Sequence, residues 1–137
     1  MASNRRPPAS NGPNPLKVSA GFRAFVLDQL EDLGDVVPRS MFGGVGLYHE
    51  GVFFGLIAGD TLYLKVDAQT RSDYERAGSH AFRPYPDRAG TMQYFDVPLA
   101  VLESRPELTR WARKAVSVAE TAMKAIRPRV RRLRNDR

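Results

Sequence analysis

The sequence predicts an α+β fold, an antiparallel sheet flanked by helices in the order αβββαββα. Three observations carry that prediction. Between Met41 and Val66, two tight turns join three β-rich runs. Before them, apolar residues recur every three or four positions from Phe22 to Leu33. After them, a capped segment starting at Ser104 carries a long apolar stripe.

The meander sets the frame. His49-Glu50-Gly51 separates Leu47-Tyr48 from Val52–Ile57, and Gly59-Asp60 separates that run from Leu62–Val66. A Gly-Asp loop suits a type I′ or II′ hairpin, and a three-residue loop ending in Gly suits a turn closed by a bulge. The second turn pairs Ala58 with Thr61, Ile57 with Leu62, Leu56 with Tyr63, Gly55 with Leu64 and Phe54 with Lys65. Strict alternation then places Phe53, Gly55, Ile57, Leu62, Leu64 and Val66 on the core face. Phe54, Leu56, Ala58, Thr61, Tyr63 and Lys65 fall on the other face. Phe54, Leu56, Tyr63 and Lys65 are therefore the candidate protein-interaction surface, an apolar and aromatic patch with one cation.

The helix before the meander opens at Ser19 and presents Phe22, Phe25, Val26, Leu30 and Leu33 at helical spacing, with Gly34 as its stop. Pro38 suits the first residue of a strand or an edge. After Val66, Asp67 or Thr70 caps a short helix from Gln69 to Ala77, which Gly78 ends. A second β pair is expected at 81–85 and 91–97 around a loop at 86–90. Ser104-Arg105-Pro106-Glu107 matches a capping box, and Leu108, Trp111, Ala112, Ala115, Val118, Ala119, Ala122, Met123 and Ile126 follow on one side. Pro128 is expected to end that helix.

Charge divides the 137 residues into three parts. Residues 1–17 hold three cations and no acid, and are rich in Pro, Asn and Ser; they read as a disordered arm. Residues 18–126 carry a net charge of −2 and form the globular domain. Residues 127–137 hold six arginines and one acid, an Arg-rich tail. Arg127, Arg129, Arg131, Arg132, Arg134 and Arg137 are candidate phosphate contacts, giving affinity for nucleic acid without sequence readout. A solvated tail is the alternative.

Composition excludes several functions. Cysteine is absent, so disulfides and thiolate chemistry are ruled out. His49 and His80 are the two histidines, both in expected loops, and supply too few ligands for a zinc or copper site. Glu50 and Asp60 belong to turns at opposite ends of the meander, which argues against a carboxylate pair with each other. Asp67, the other possible partner of Glu50, lies beyond the third run. No serine or threonine meets a histidine and an acid. The chain thus reads as a non-enzyme without metal or cofactor. Gly43-Gly44-Val45-Gly46 precedes a strand and reads as a strand start, since a phosphate loop needs a helix after it. Arg5-Arg6 is followed by prolines instead of an apolar signal core, so the expected location is cytoplasmic, with no membrane association.

The segments MFGGVGLYHEGVFFGLIAGDTLYLKVD, FRPY, MQYFDVP and WARKA together resemble the N-terminal domain of the TfoX/Sxy family of competence regulators. The resemblance spans about residues 19–122. It implies a curved antiparallel sheet like that of secretion chaperones, with no enzyme activity and no cofactor. The family's founding members promote transcription of DNA-uptake genes together with the cAMP receptor protein, so the implied partner is a protein of the transcription machinery or a regulator. Those members carry a second, helical domain not found here, and the chain reads as a stand-alone copy of the first. A homodimer is also admitted.

Overall fold

The structure, a computed structural model, describes residues 17–41, 43–83 and 93–135, with side chains described as far as Ala125. The expected disordered arm and the loop at 86–90 lie outside the described residues, except for Lys17.

Helix α1 spans Ala20–Gln29. The Ser19 side chain caps it by accepting from the Phe22 N–H, and a 3₁₀ turn at Glu31–Leu33 ends at Gly34, whose φ is +85°. The buried stripe is Val26, Leu30 and Leu33, with Phe22 and Leu27 at its margin. Phe25, expected in that stripe, is 40% exposed. Val26 and Leu30, one turn apart, occupy the line facing the core and leave Phe25 to its side.

Five antiparallel strands follow in sequential order: β1 Val36–Met41, β2 Gly44–His49, β3 Val52–Ala58, β4 Thr61–Lys65 and β5 Tyr94–Asp96. The expected lead-in at 36–39 is a full strand paired with β2, from Val36 opposite His49 to Met41 opposite Gly44. Pro38 sits in this edge strand, where a missing N–H costs no ladder bond. The glycine run opens β2, as its position before a strand requires, with Gly43 in the turn at φ +86°.

The β3–β4 hairpin has the expected register: Gly55 opposite Leu64, Leu56 opposite Tyr63, Ile57 opposite Leu62 and Ala58 opposite Thr61. Gly59 takes φ +56° and Asp60 does not share the positive φ, which fits a II′ turn. The β2–β3 turn differs from expectation. His49 pairs with Val52, so the loop is the two residues Glu50 and Gly51, at φ +51° and +81°. Two positive φ values in succession make it a type I′ turn.

The bulge expected at that turn lies further along. Leu47 pairs with Gly55 but Tyr48 pairs with Phe53, which leaves Phe54 without an opposite residue. Phe54 and Gly55 thus both face the core opposite Leu47, and alternation is reset. Phe54 is 0% exposed in the main core, and Phe53 packs on the opposite face. The expected places of these two phenylalanines are exchanged; Ile57, Leu62, Leu64 and Val66 are in the core as predicted.

Asp67 starts the next turn by accepting from the N–H groups of Gln69 and Thr70. These bonds, that of Thr70 first, hold the Asp67 carboxyl below its usual value. Helix α2, Arg71–Arg76, places Tyr74 against Trp111 and Phe95, with centroids 4.6 and 6.1 Å away. Of the expected second β pair, residues 84–92 lie outside the described residues; β5 pairs with β4, and on its other side Ala81 bridges to Phe95 and the Phe82 N–H donates to the Tyr94 carbonyl.

A short helix α3, Leu99–Leu102, leads into α4, Arg105–Asn135. Ser104 Oγ accepts from the Glu107 N–H, the expected cap. Half of the capping box is absent, because the Ser104 N–H donates to the Val101 carbonyl and Glu107 pairs with Arg110. Leu108, Ala112, Ala115, Val116 and Ala119 bury the helix against the sheet. Val116 takes the place expected for Val118, which is only half-buried. Arg105 holds the helix start to α1 through Asp28 at 2.9 Å and Glu31 at 3.4 Å.

Pro128 does not end α4. A proline inside a helix orphans the carbonyl four residues earlier, here that of Lys124. Lys124 is exposed, so water can satisfy that carbonyl.

Candidate interaction surface

One sheet face is covered by α1 and α4; the other is where a surface can form. Paired residues share a face, so β1 and β2 contribute Val37 with Tyr48, Arg39 with Gly46, and Met41. From β3 come Phe53, Leu56 and Ala58, from β4 Tyr63 and Lys65, and from β5 Tyr94.

These side chains form an aromatic row of three rings and, beside it, a pair. Tyr48 stacks on Phe53 with centroids 5.1 Å apart, Phe53 meets Tyr94 at 5.5 Å, and Tyr63 meets Phe82 at 4.8 Å. Two cations lie on it. Arg39 Cζ is 5.6 Å from the Tyr48 ring centre, and Lys65 Nζ is 5.1 Å from that of Tyr94. Each such contact contributes roughly 0.5–1 kcal/mol near the surface. Gly46 leaves room for Met41 and the Phe53 ring, since a Cβ there would fall 2.9 Å from Met41 Cε and 3.2 Å from Phe53 Cε1.

Burial raises the Tyr94 phenol to about 12, with the neighbouring Tyr48 adding to the shift. Tyr63 is raised in the same sense by burial and by Asp96, against a hydrogen bond with Thr61. Both rings are neutral donors throughout the physiological range. The face can therefore offer flat apolar area, phenol hydroxyls and two cations, the chemistry of a protein-contact surface.

Of the four residues expected here, the structure keeps three on this face. Tyr63 and Lys65 are half-buried, and Leu56 is buried beneath Phe82 and Tyr94. Phe54 is removed from the surface by the bulge. Sequence reasoning missed Arg39, Tyr48 and Phe53. An isolated glycine inside an apolar strand is the signal that would have found Phe53, because it marks a bulge.

The other expected residues do not converge. His49 Nδ1 lies 2.7 Å from the Gly34 carbonyl and His80 is exposed beside Asp96, so the loop histidines are separate. Asp60 receives the Ser19 N–H at 3.1 Å and fastens α1 to the hairpin tip, while Glu50 lies in the opposite turn. Among the described residues no group of three metal-ligating side chains occurs, and no helix is long and apolar enough to cross a membrane. Arg127, Arg129, Arg131, Arg132 and Arg134 belong to the end of α4, and Arg137 lies outside the described residues.

The family described as the TfoX N-terminal domain matches residues 28–119, which contain every strand of this face. The DNA transformation protein TfoX1 of Aliivibrio fischeri is 33% identical over 78 residues, covering 56% of this chain. The matched part spans 37% of that relative's length.

Proposed function

Because the chain belongs to the TfoX N-terminal domain family, we propose that it is a non-enzymatic regulatory domain of competence that acts through protein contacts on its aromatic sheet face. The observation that supports this reading most is the coincidence of the family match with the strands of that face. The relative's name, a DNA transformation protein, supplies the process. A protein of the transcription machinery, or a regulator bound to it, is the proposed partner.

The face suits that task. Rigid aromatic rings contribute contact area with little rotamer entropy to lose, and two cations at its margin select an acidic neighbour. Regulation by contact needs no convergent acid, base or nucleophile.

Deleting the gene in its host and measuring both DNA uptake and transcripts of the uptake genes tests the proposal. Both should fall, and both should recover on complementation. Unchanged uptake and unchanged transcripts in the deletion strain would contradict it.

A further inference from the structure

Helix α4 outlasts the domain it packs on. Among its described side chains the last buried one is Ala119, yet its backbone continues to Asn135. Every residue from Glu120 to Ala125 is exposed, including Met123 at 37%. At 1.5 Å per residue, the segment 120–135 amounts to about 24 Å of helix.

The sequence of this projection is patterned. Thr109, Ala112, Val116, Ala119, Met123, Ile126, Val130 and Leu133 follow one another at spacings of three and four residues in strict alternation, a heptad repeat. The first four are buried against the domain. The second four continue the series beyond Ala119, and Met123, the first of them, is exposed. If that series holds positions a and d, then Arg127 and Arg134 take e and Arg129 takes g. Pro128 takes f, the position furthest from the seam.

Those flanking charges choose the occupant. In a parallel pair of identical helices, g meets the following e′, which sets Arg129 against Arg134. In an antiparallel pair, g meets g′ and e meets e′, which sets arginine against arginine again. Like charges across the seam oppose a second copy in either orientation, and acidic residues on a partner complement them. Duplex nucleic acid would satisfy the arginines but has no use for an apolar series at heptad spacing.

We propose that the projecting end of α4 is a docking helix for an acidic amphipathic helix of a partner protein. The pairing is a short heterodimeric coiled coil, with Met123, Ile126, Val130 and Leu133 at its a and d positions, Arg127 and Arg134 at e and Arg129 at g, the register positions that carboxylates on a partner complement. This surface is separate from the aromatic face and does not depend on the role proposed for it.

The test uses the full chain and three labelled probes. These are a three-heptad peptide with Ile and Leu at a and d and Glu at e and g, the same peptide with Lys at e and g, and a random-sequence DNA duplex. The Glu peptide should bind, and the Lys peptide should bind at least about tenfold more weakly. I126Q/V130Q, which keeps every charge, should weaken the Glu peptide about tenfold or more, and R129E/R134E should exchange the preference between the two peptides. Unfolding of the domain monitored at Trp111 should be unchanged in both variants, because the core among the described residues reaches only to Ala119. The proposal is overturned if the Glu peptide does not bind, or if I126Q/V130Q binds it as well as the parent does. It is also overturned if the chain self-associates through this seam, or if the duplex outcompetes the Glu peptide.

Discussion

Gly55 lies against the backbone of Tyr63 so closely that a Cβ on it would sit 2.8 Å from the Tyr63 carbonyl oxygen and 3.0 Å from Leu64 Cδ2. The bulge places Phe54 on the same side, and the missing side chain is what lets both fit. Gly55→Ala should therefore destabilise the domain by about 1–3 kcal/mol, the usual cost of forced overpacking. The obstacle is backbone, so a rotamer change cannot relieve it. Urea unfolding of the variant measures this, and an unchanged midpoint would place the bulge elsewhere.

The two phenylalanines beside it should respond unequally. Phe54 is fully enclosed by the main core, and Phe54→Ala should cost about 3–5 kcal/mol. Phe53 is half-buried on the opposite face, and Phe53→Ala should cost less than half as much. Equal losses, measured by the same unfolding experiment, would favour the regular alternation over the bulge.

Arg105 joins the start of α4 to the end of α1 through two carboxylates that are themselves largely exposed. Exposed pairs contribute roughly 0.2–1 kcal/mol each and weaken in salt. Arg105→Gln should cost about 1 kcal/mol at low ionic strength, and the difference from the parent should shrink in high salt. A loss that is independent of salt would mean that the side chain acts through packing.

The Tyr94 phenol supplies a pH dependence. Its folded value is raised from 10.0 to about 12 by burial, so folding favours the protonated ring. The associated stability is fully present below the unfolded value and is lost as pH rises through the folded value. Unfolding midpoints should thus fall between about pH 10 and 12, and Tyr94→Phe should flatten the part of that decline that comes from this ring. Tyrosinate absorbance in the same range reports the titration directly.

Much of this architecture is legible in the sequence, for physical reasons that can be stated. The β3–β4 register follows from Gly59-Asp60, because a two-residue turn leaves a single pairing. The start of α1, the stop after its 3₁₀ turn and the start of α4 follow from Ser19, Gly34 and Ser104, whose roles are local. The exchange of Phe53 and Phe54 is not local. It depends on how β3 meets β2, and counting alternation along one strand cannot show an extra residue. Arg39 escaped notice because residues 36–41 form a full edge strand, and pairing with Gly46 brings Arg39 beside Tyr48. The extension of α4 through Pro128 was hidden by the local cost of proline, which an exposed turn tolerates.

Complementation of the deletion strain with a face variant tests the central claim most directly. Arg39→Glu with Lys65→Glu reverses both cations on the aromatic row and touches no residue of the main core. The double variant should fold, as shown by circular dichroism and a cooperative unfolding transition, yet fail to restore DNA uptake and uptake-gene transcripts. Full restoration by the folded variant would contradict the assignment of this face as the contact surface.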